Sequence, residues 1–275
     1  MELTNEMYRK VMRKGWNLTL DEYDRSWVSV LRRYAARCVE LGEPRLGDRV
    51  LDIATGPGTA AFLAAARVGV GGSVLGTDIA DNFIEAATRK ALQEEVPQVR
   101  FERHPMEELD VAAQSVDVAL CVLGLMFAAP VDAALSEISR VLEPKTGRFA
   151  GCVWGQRAKC GFRGVFSILE APLQMDICPL FFALGEPGAL GVALESVGLR
   201  DVHEERSEVT LRWTDDDDAC AAMFDGGPVA YPYSLFSPEI KAQVARDYLA
   251  SLAPYRDGEG FEVPAEFVCV AATKA

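Results

Sequence analysis

Between residues 50 and 154 the apolar positions gather in short runs, separated by longer stretches in which they recur every three or four residues. The runs at 50–54, 73–77, 99–103, 116–121 and 148–154 have the length and composition of buried strands. The stretches between them read as helices. An alanine-rich one runs from the glycine turn to about Val68, and another runs from Asp81, its N-cap, to about Glu95. A third, over 131–142, leads through the turn Pro144-Lys145-Thr146-Gly147 into the fifth strand. Strands alternating with helices at this spacing predict a parallel, doubly wound α/β sheet.

Outside that block the pattern changes. Ahead of the first strand, Thr19-x-x-Glu22 has the form of a capping box and opens a helix with Tyr23, Trp27, Leu31 and Tyr34 on one face. Two uses of that stripe are open: packing on the sheet, or closing over a site with Tyr8, Trp16 and Tyr23 nearest the substrate. After the fifth strand the alternation breaks, and residues 156–187, with Phe162, Phe166, Met175, Phe181 and Phe182, read as an inserted helical cap. A helix over 188–197 leads to a sixth strand around 200–213. The run Asp215 to Asp218 reads as a solvated helix start. A second insertion, 219–260, carries a helix over 238–252, and a seventh strand follows at 261–271. The expected organisation is a lid (1–45), a core (46–155), a cap (156–187) and a C-terminal part of the core (188–275) that includes the second insertion.

The chemistry concentrates where the first strand meets the glycine turn Thr55-Gly56-Pro57-Gly58-Thr59. Strand, glycine loop, helix and second strand ending on Asp78 make one βαβ unit with a nucleotide-type site at its carboxyl edge. Asp78, twenty residues after Gly58, is placed to bind a ribose diol. Gly56-x-Gly58-x-x-Ala61 also fits a dinucleotide fingerprint formally. Asp52, inside the strand just before the loop, argues against NAD: such a loop presents amides to a pyrophosphate, and a carboxylate beside it repels that anion. S-adenosylmethionine (SAM) has no phosphate and carries an ammonium and a sulfonium, which a carboxylate favours.

Composition narrows the partners. Of 275 residues, 49% are hydrophobic and 25% charged, as in a soluble globular protein of one large domain, or one domain with a cap. The net charge of −13 disfavours nucleic acid and anionic membrane surfaces, both of which call for a basic face. Seven scattered cysteines without CxxC or Cys/His metal spacing point to a reducing cytoplasm and to no bound metal. The longest uncharged stretch, 118–131, is too short to span a bilayer.

The segments VLDIATGPG, GTDIADNFIEAA and VDVALCVLGLMFAAPVDAALSEISRVLEPKTGRFAGCVWG resemble the UbiE/Coq5-like branch of the class I, Rossmann-like SAM methyltransferases (methyltransferase type 11/25), specifically from about Tyr23 to Gly155. The resemblance implies a seven-stranded sheet, SAM as methyl donor and S-adenosylhomocysteine as product. It implies Asp52 near the methionine ammonium, backbone of Ala54, Gly56 and Gly58 along the amino-acid end, and Asp78 on the ribose. Ile79 would pack on the adenine face, Met106 and Glu107 would sit at its edge, and Cys121 and Val122 would face the methionine part. Pro105 stands where many relatives carry an Asp for the adenine amino group, so Met106 backbone or Glu107 is expected to take that role.

Methyl transfer from a sulfonium needs an aligned nucleophile, and needs a base only where the nucleophile must lose a proton. His104 and His203 fall in the loop after the third strand and in the sixth strand, and both are expected to be structural. That leaves an acceptor that ionises easily, or a base from Tyr8, Tyr23 or Tyr231. Trp16, Tyr23, Met126, Phe162 and Phe166 are the expected substrate contacts. Cys121-Val122-Leu123-Gly124 replaces the tetrad of amino-directed DNA methyltransferases, and the Asp of metal-dependent catechol enzymes is missing there too. The reading is a metal-independent methyltransferase, monomer or homodimer, acting on O, C, N or S of a small, partly apolar quinone-like, phenolic or secondary-metabolite molecule. The alternatives are a nicotinamide oxidoreductase and a SAM-binding protein that transfers no methyl group.

Overall fold

The computed structural model describes residues 4–173, 178 and 181–275, so the expected cap residue Met175 lies outside the described residues. Two N-terminal segments come first: α1 (Asn5–Trp16), then α2 (Leu20–Tyr23), which continues through a π-helical turn (Asp24–Val28) into α3 (Ser29–Gly42). The core follows as β1 (Arg49–Ile53), α4 (Thr59–Val68), β2 (Ser73–Asp78), α5 (Asp81–Gln93), β3 (Val99–Arg103), β4 (Val118–Val122), α6 (Val131–Val141) and β5 (Arg148–Trp154). The cap contributes α7 (Gly164–Leu173), and α8 (Ala189–Ser196) returns to β6 (Leu199–Trp213). The second insertion holds α9 (Asp216–Phe224), α10 (Ala230–Ser234) and α11 (Pro238–Leu252). A short β7 (Arg256–Asp257) and the long β8 (Gly260–Lys274) complete the chain.

The strands form one sheet in the order β3-β2-β1-β4-β5-β8-β6, with β7 paired to β8. β1 to β5 are parallel, and β8 lies antiparallel between β5 and β6. This is the expected doubly wound α/β fold. The sheet has eight strands rather than seven because β7 turns back on β8 through two charged residues, too short and too polar for any apolar pattern to reveal. Strand order reverses between β1 and β4, and the crevice that opens at their carboxyl ends is where such sheets bind ligands.

β1 and β4 are buried on both faces: Leu51, Ile53, Val118 and Leu120 are fully enclosed, and Asp52 is the polar exception among the buried positions of β1. α3 lays Leu31, Tyr34, Ala35 and Cys38 on the sheet against β4, β5 and β8. Its aromatic stripe therefore packs as core at one end, while Tyr23 at the other end stays half-buried beside a cavity, so the two readings of the stripe describe two ends of one helical run.

Two expected caps form differently. Thr19 precedes α2, but its hydroxyl donates to the Trp16 carbonyl at 3.0 Å, and Glu22 binds Arg25 and Ser26 instead of reaching back. Chain reversal after α1 claims the threonine first. Ala80, not Asp81, is the N-cap of α5. The Asp81 carboxylate is engaged by Arg13 at 2.7 Å, Asn17 at 3.3 Å and Arg103 at 3.2 Å, which ties α1 to the core. Asp215 does cap α9, accepting from Asp218 N–H at 2.8 Å. Among the described residues no helix is long and apolar enough to cross a membrane.

Candidate active site

The loop after β1 is shaped by what each residue can tolerate. Gly56 (φ 54°) and Gly58 (φ 87°) take left-handed conformations open to glycine. A Cβ on Gly56 would meet nothing within 4 Å, whereas one on Gly58 would strike Phe62 and Phe101 at 2.9 Å. Gly56 thus faces open space, and Gly58 turns the chain into α4 from behind. Ala54 (φ 55°) and Leu123 (φ 58°) hold the same conformation without being glycine, on the ends of β1 and β4. Such strain persists only where the surroundings enforce it. Gly124 is part of that enforcement, because its missing Cβ would lie 2.5 Å from Ala54 Cβ and 2.8 Å from Cys121 Sγ.

Asp78 closes the loop from the next strand. Its Oδ2 accepts Gly56 N–H at 2.9 Å and its Oδ1 accepts Ala80 N–H at 2.9 Å, leaving lone pairs on both oxygens. Asp52 lies beneath, 1% exposed, accepting the Thr55 hydroxyl at 2.5 Å. Burial pushes the Asp52 carboxyl up to about 7, opposed by the Thr55 bond and helped by the charge of Asp78. Burial raises Asp78 as well. Two carboxylates short of compensating charge make a site that fits a cation.

Three lobes open from this point. The first encloses about 670 Å³ between Ala54, Gly56, Asp78, Ile79, Met106 and Glu107, with Arg9, Met12 and Trp16 of α1 across the opening. The second encloses about 410 Å³ over Asp52, Thr55 and Pro57, under Val28, Leu31 and Ala35. The third encloses about 560 Å³ between Trp27, Trp154, Phe162, Phe166, Phe181 and Met223. Tyr23 and Leu123 line all three. Among the described residues no charged side chain lines the third lobe, and the Trp27 indole N–H is already spent on the Ala222 carbonyl at 3.0 Å.

Ala54, Gly56, Asp78, Ile79, Met106, Glu107 and Val122 line the first lobe, and Asp52 lines the second. Gly58 and Cys121 are not among the lining residues; Cys121 is fully buried behind the loop. Glu107 uses Oε1 to accept Ala129 N–H at 2.6 Å, so part of its capacity holds the loop after β4. Trp16, Tyr23, Phe162 and Phe166 line the third lobe, whereas Met126 is fully buried and lines none of the lobes, because its 3-10 turn points it into the core. Of the candidate bases Tyr23 lines the three lobes, and Tyr8 and Tyr231 are not among their lining residues. Tyr8 lies on α1 and Tyr231 on α10, where Lys14 contacts its hydroxyl at 3.3 Å. His203 is an exposed β6 residue beside Glu205 at 3.0 Å. His104, expected in the loop after the third strand with a structural role, lines the first lobe. Leu123, Phe127 and Trp154 were also missed as lining residues, since an apolar residue at a strand's end reads the same whether it meets core or cavity.

The nocamycin O-methyltransferase of Saccharothrix syringae is 27% identical over 86% of this chain and 89% of its own length. A UbiE of Azotobacter vinelandii, a ubiquinone/menaquinone biosynthesis C-methyltransferase, is 35% identical over 38% of this chain and 42% of its own. Residues 50–145 match the family described as "Methyltransferase domain". The chain is a SAM-dependent methyltransferase whose core is similar to class I enzymes of the UbiE-like type. The crystal structure of YcgJ from Bacillus subtilis has the same fold, with a TM-score of 0.64 at 17% identity over 88% of this chain and 98% of that one. The site of this methyltransferase suits the donor: two buried carboxylates face the space a ligand would fill, as a sulfonium and an ammonium call for.

Proposed function

We propose that this methyltransferase acts on an acidic oxygen, a phenol, enol or carboxyl, of a small, flat, apolar molecule held in the third lobe. The observation that carries this is the lobe itself: eight aromatic side chains, no charged one among the described residues, and a junction with the two lobes near the glycine loop at Tyr23 and Leu123. In the donor site, Asp52 would face the amino-acid end, Ala54 and Gly56 would line it, and Asp78 would take the ribose. Ile79, Met106, Glu107 and Val122 would border the base and the sulfur, with Gly58 and Cys121 shaping the loop from behind. When bound, SAM supplies a methyl group already activated on sulfur.

What the chain supplies is placement and dryness. Holding two reactants in line removes an entropic cost of about 7–11 kcal/mol. The aromatic walls exclude water and orient a planar acceptor. Burial, helped by the nearby charge of Asp78, raises the Tyr23 phenol well above its ordinary value. Tyr23 is therefore read as a protonated hydrogen-bond donor rather than as the base. With no carboxylate or imidazole among the described residues that line the lobe, the acceptor molecule is read as bringing its own acidity. Nocamycin O-methyltransferase, the relative matched over most of both chains, supports oxygen as the atom. The net charge of −13 and seven free thiols support a small-molecule partner, no nucleic acid and a cytoplasmic setting, as a monomer or homodimer.

The test is S-adenosylhomocysteine formation across a series of polycyclic phenols of graded acidity, with an amine and an alkyl alcohol of similar shape. The expected result is turnover that rises with the fraction of acceptor ionised. Equal turnover of the amine or the alcohol would overturn the acidic-oxygen reading.

A further inference from the structure

Cys38 of α3, Cys152 of β5 and Cys269 of β8 are buried together where α3 crosses the sheet, and their thiols hydrogen-bond one another. Register decides which two can join. Cys152 stands directly opposite Cys269 in the antiparallel β5–β8 ladder, and Trp154 stands opposite Phe267. Gly155 N–H donates to the Glu266 carbonyl at 2.6 Å, and Lys274 N–H to the Gly147 carbonyl at 2.8 Å. Such exchanges recur at every second pair of an antiparallel ladder, so Cys152 and Cys269 fall on a non-hydrogen-bonded pair. Opposed Cα atoms at such a pair lie about 4.5 Å apart, within the roughly 4.4–6.8 Å that a disulfide accepts. The two thiols are also unequal. Cys152 is 1% exposed, whereas Cys269 is 4% exposed and lies opposite Glu205, which holds the half-exposed Arg37 at 2.6 Å. Hydrogen bonds from Cys152 and Cys38 hold the Cys269 thiol well below its ordinary value, while burial pushes Cys152 up. One sulfur is thus the nucleophile and the other keeps its proton.

We propose that Cys152 and Cys269 are a redox-active pair that a peroxide closes to a cross-strand disulfide, with Cys38 supporting Cys269 but taking no part in the bond. The Cys269 sulfur attacks a peroxide oxygen, the O–O bond breaks, and Cys269 becomes a sulfenic acid as one water leaves. The Cys152 sulfur then attacks the sulfenic sulfur, the S–O bond breaks, and a second water leaves with the Cys152 proton. Two thiols are oxidised, and one hydrogen peroxide is reduced to two waters. The bridge closes the long loop from 152 to 269, so it constrains the unfolded chain most. It lies one pair along the same face from Trp154 and Phe267, whose rings stack at 4.2 Å where Trp154 lines the third lobe.

The experiment treats the reduced, purified full chain with hydrogen peroxide, alkylates the remaining thiols and maps the peptides without reductant. The expected result is a Cys152–Cys269 linked peptide from the monomer that dithiothreitol removes. The bridged chain should melt about 5–10 °C above the reduced one. Cys38→Ala should keep the same link. Cys269→Ala should protect Cys152 from peroxide, because the thiol attacked first is gone. Absence of the link in wild type, or a link that uses Cys38, overturns the pairing. Oxidation of Cys152 in Cys269→Ala at the wild-type rate overturns the division of roles. A lower melting temperature for the bridged chain means that the native ladder does not accommodate the bond, and overturns the register argument.

Discussion

With Asp52 facing the charged end of the ligand, as proposed, binding should depend on pH in a way its position makes calculable. The carboxyl is enclosed, with the Thr55 hydroxyl as its closest support, and sits near 7 instead of near 4. A cationic ligand end favours the ionised form, so affinity follows the fraction ionised. That fraction is about 3% at pH 5.5 and about half at pH 7.0, a rise of about 15-fold in affinity for S-adenosylhomocysteine. The ligand's own amino group stays protonated across that window. Stability runs the other way. The folded chain holds this proton more tightly than the unfolded one, so stability without ligand falls as pH climbs from about 4 to about 7 and the loss is complete above that. Asp52→Asn removes both effects: the affinity slope should flatten, and the unliganded variant should melt above wild type at pH 8, with the gap closing toward pH 4. Calorimetry from pH 5.5 to 7.5 and melting scans from pH 4 to 8 measure the two slopes. If Asp52→Asn keeps the full wild-type slope in affinity, the carboxylate does not face the charged end of the ligand.

Gly124→Ala should lower stability by about 1–3 kcal/mol and weaken S-adenosylhomocysteine binding, because the new Cβ displaces Ala54 and Cys121 from the loop they shape; denaturant titration and calorimetry read the two effects. Glu266, 1% exposed, joins Lys159 at 2.6 Å and Arg206 at 3.0 Å, and Arg206 also reaches the Gly185 carbonyl at 2.9 Å, so this cluster ties both roots of the cap to β6 and β8. Glu266→Gln should cost about 1–3 kcal/mol in a denaturant melt and loosen the third lobe while sparing S-adenosylhomocysteine affinity; unchanged stability would mean the cap holds by its aromatic contacts alone.

The sheet strands, the helices between them and the glycine loop were legible in the chain because their signals are local. Apolar runs of five to seven residues bury both faces of a parallel strand, and a carboxylate before a glycine turn is incompatible with a pyrophosphate whatever the rest of the fold does. For the same reason Asp52, Gly56 and Asp78 could be named before any coordinates. Where the chain reading went astray, competition for a side chain decided the outcome. Thr19 and Asp81 were read as helix caps, but Trp16 O claimed the first, and Arg13, Asn17 and Arg103 the second, from elements that the local pattern does not bring together. The ligand lobes depend on the same long-range meeting. Tyr23 before the first strand, Leu123 after the fourth and Trp154 at the end of the fifth converge on the third lobe only once β4 lies beside β1 and α3 crosses the sheet. Met126, apolar and close by in sequence, turns into the core instead. Sequence alone determined the fold and the kind of donor, since backbone periodicity and charge sign act over a few residues. Tertiary structure decided which aromatic rings face a cavity and which apolar side chains turn into the core, since those depend on what packs against a side chain from far along the chain.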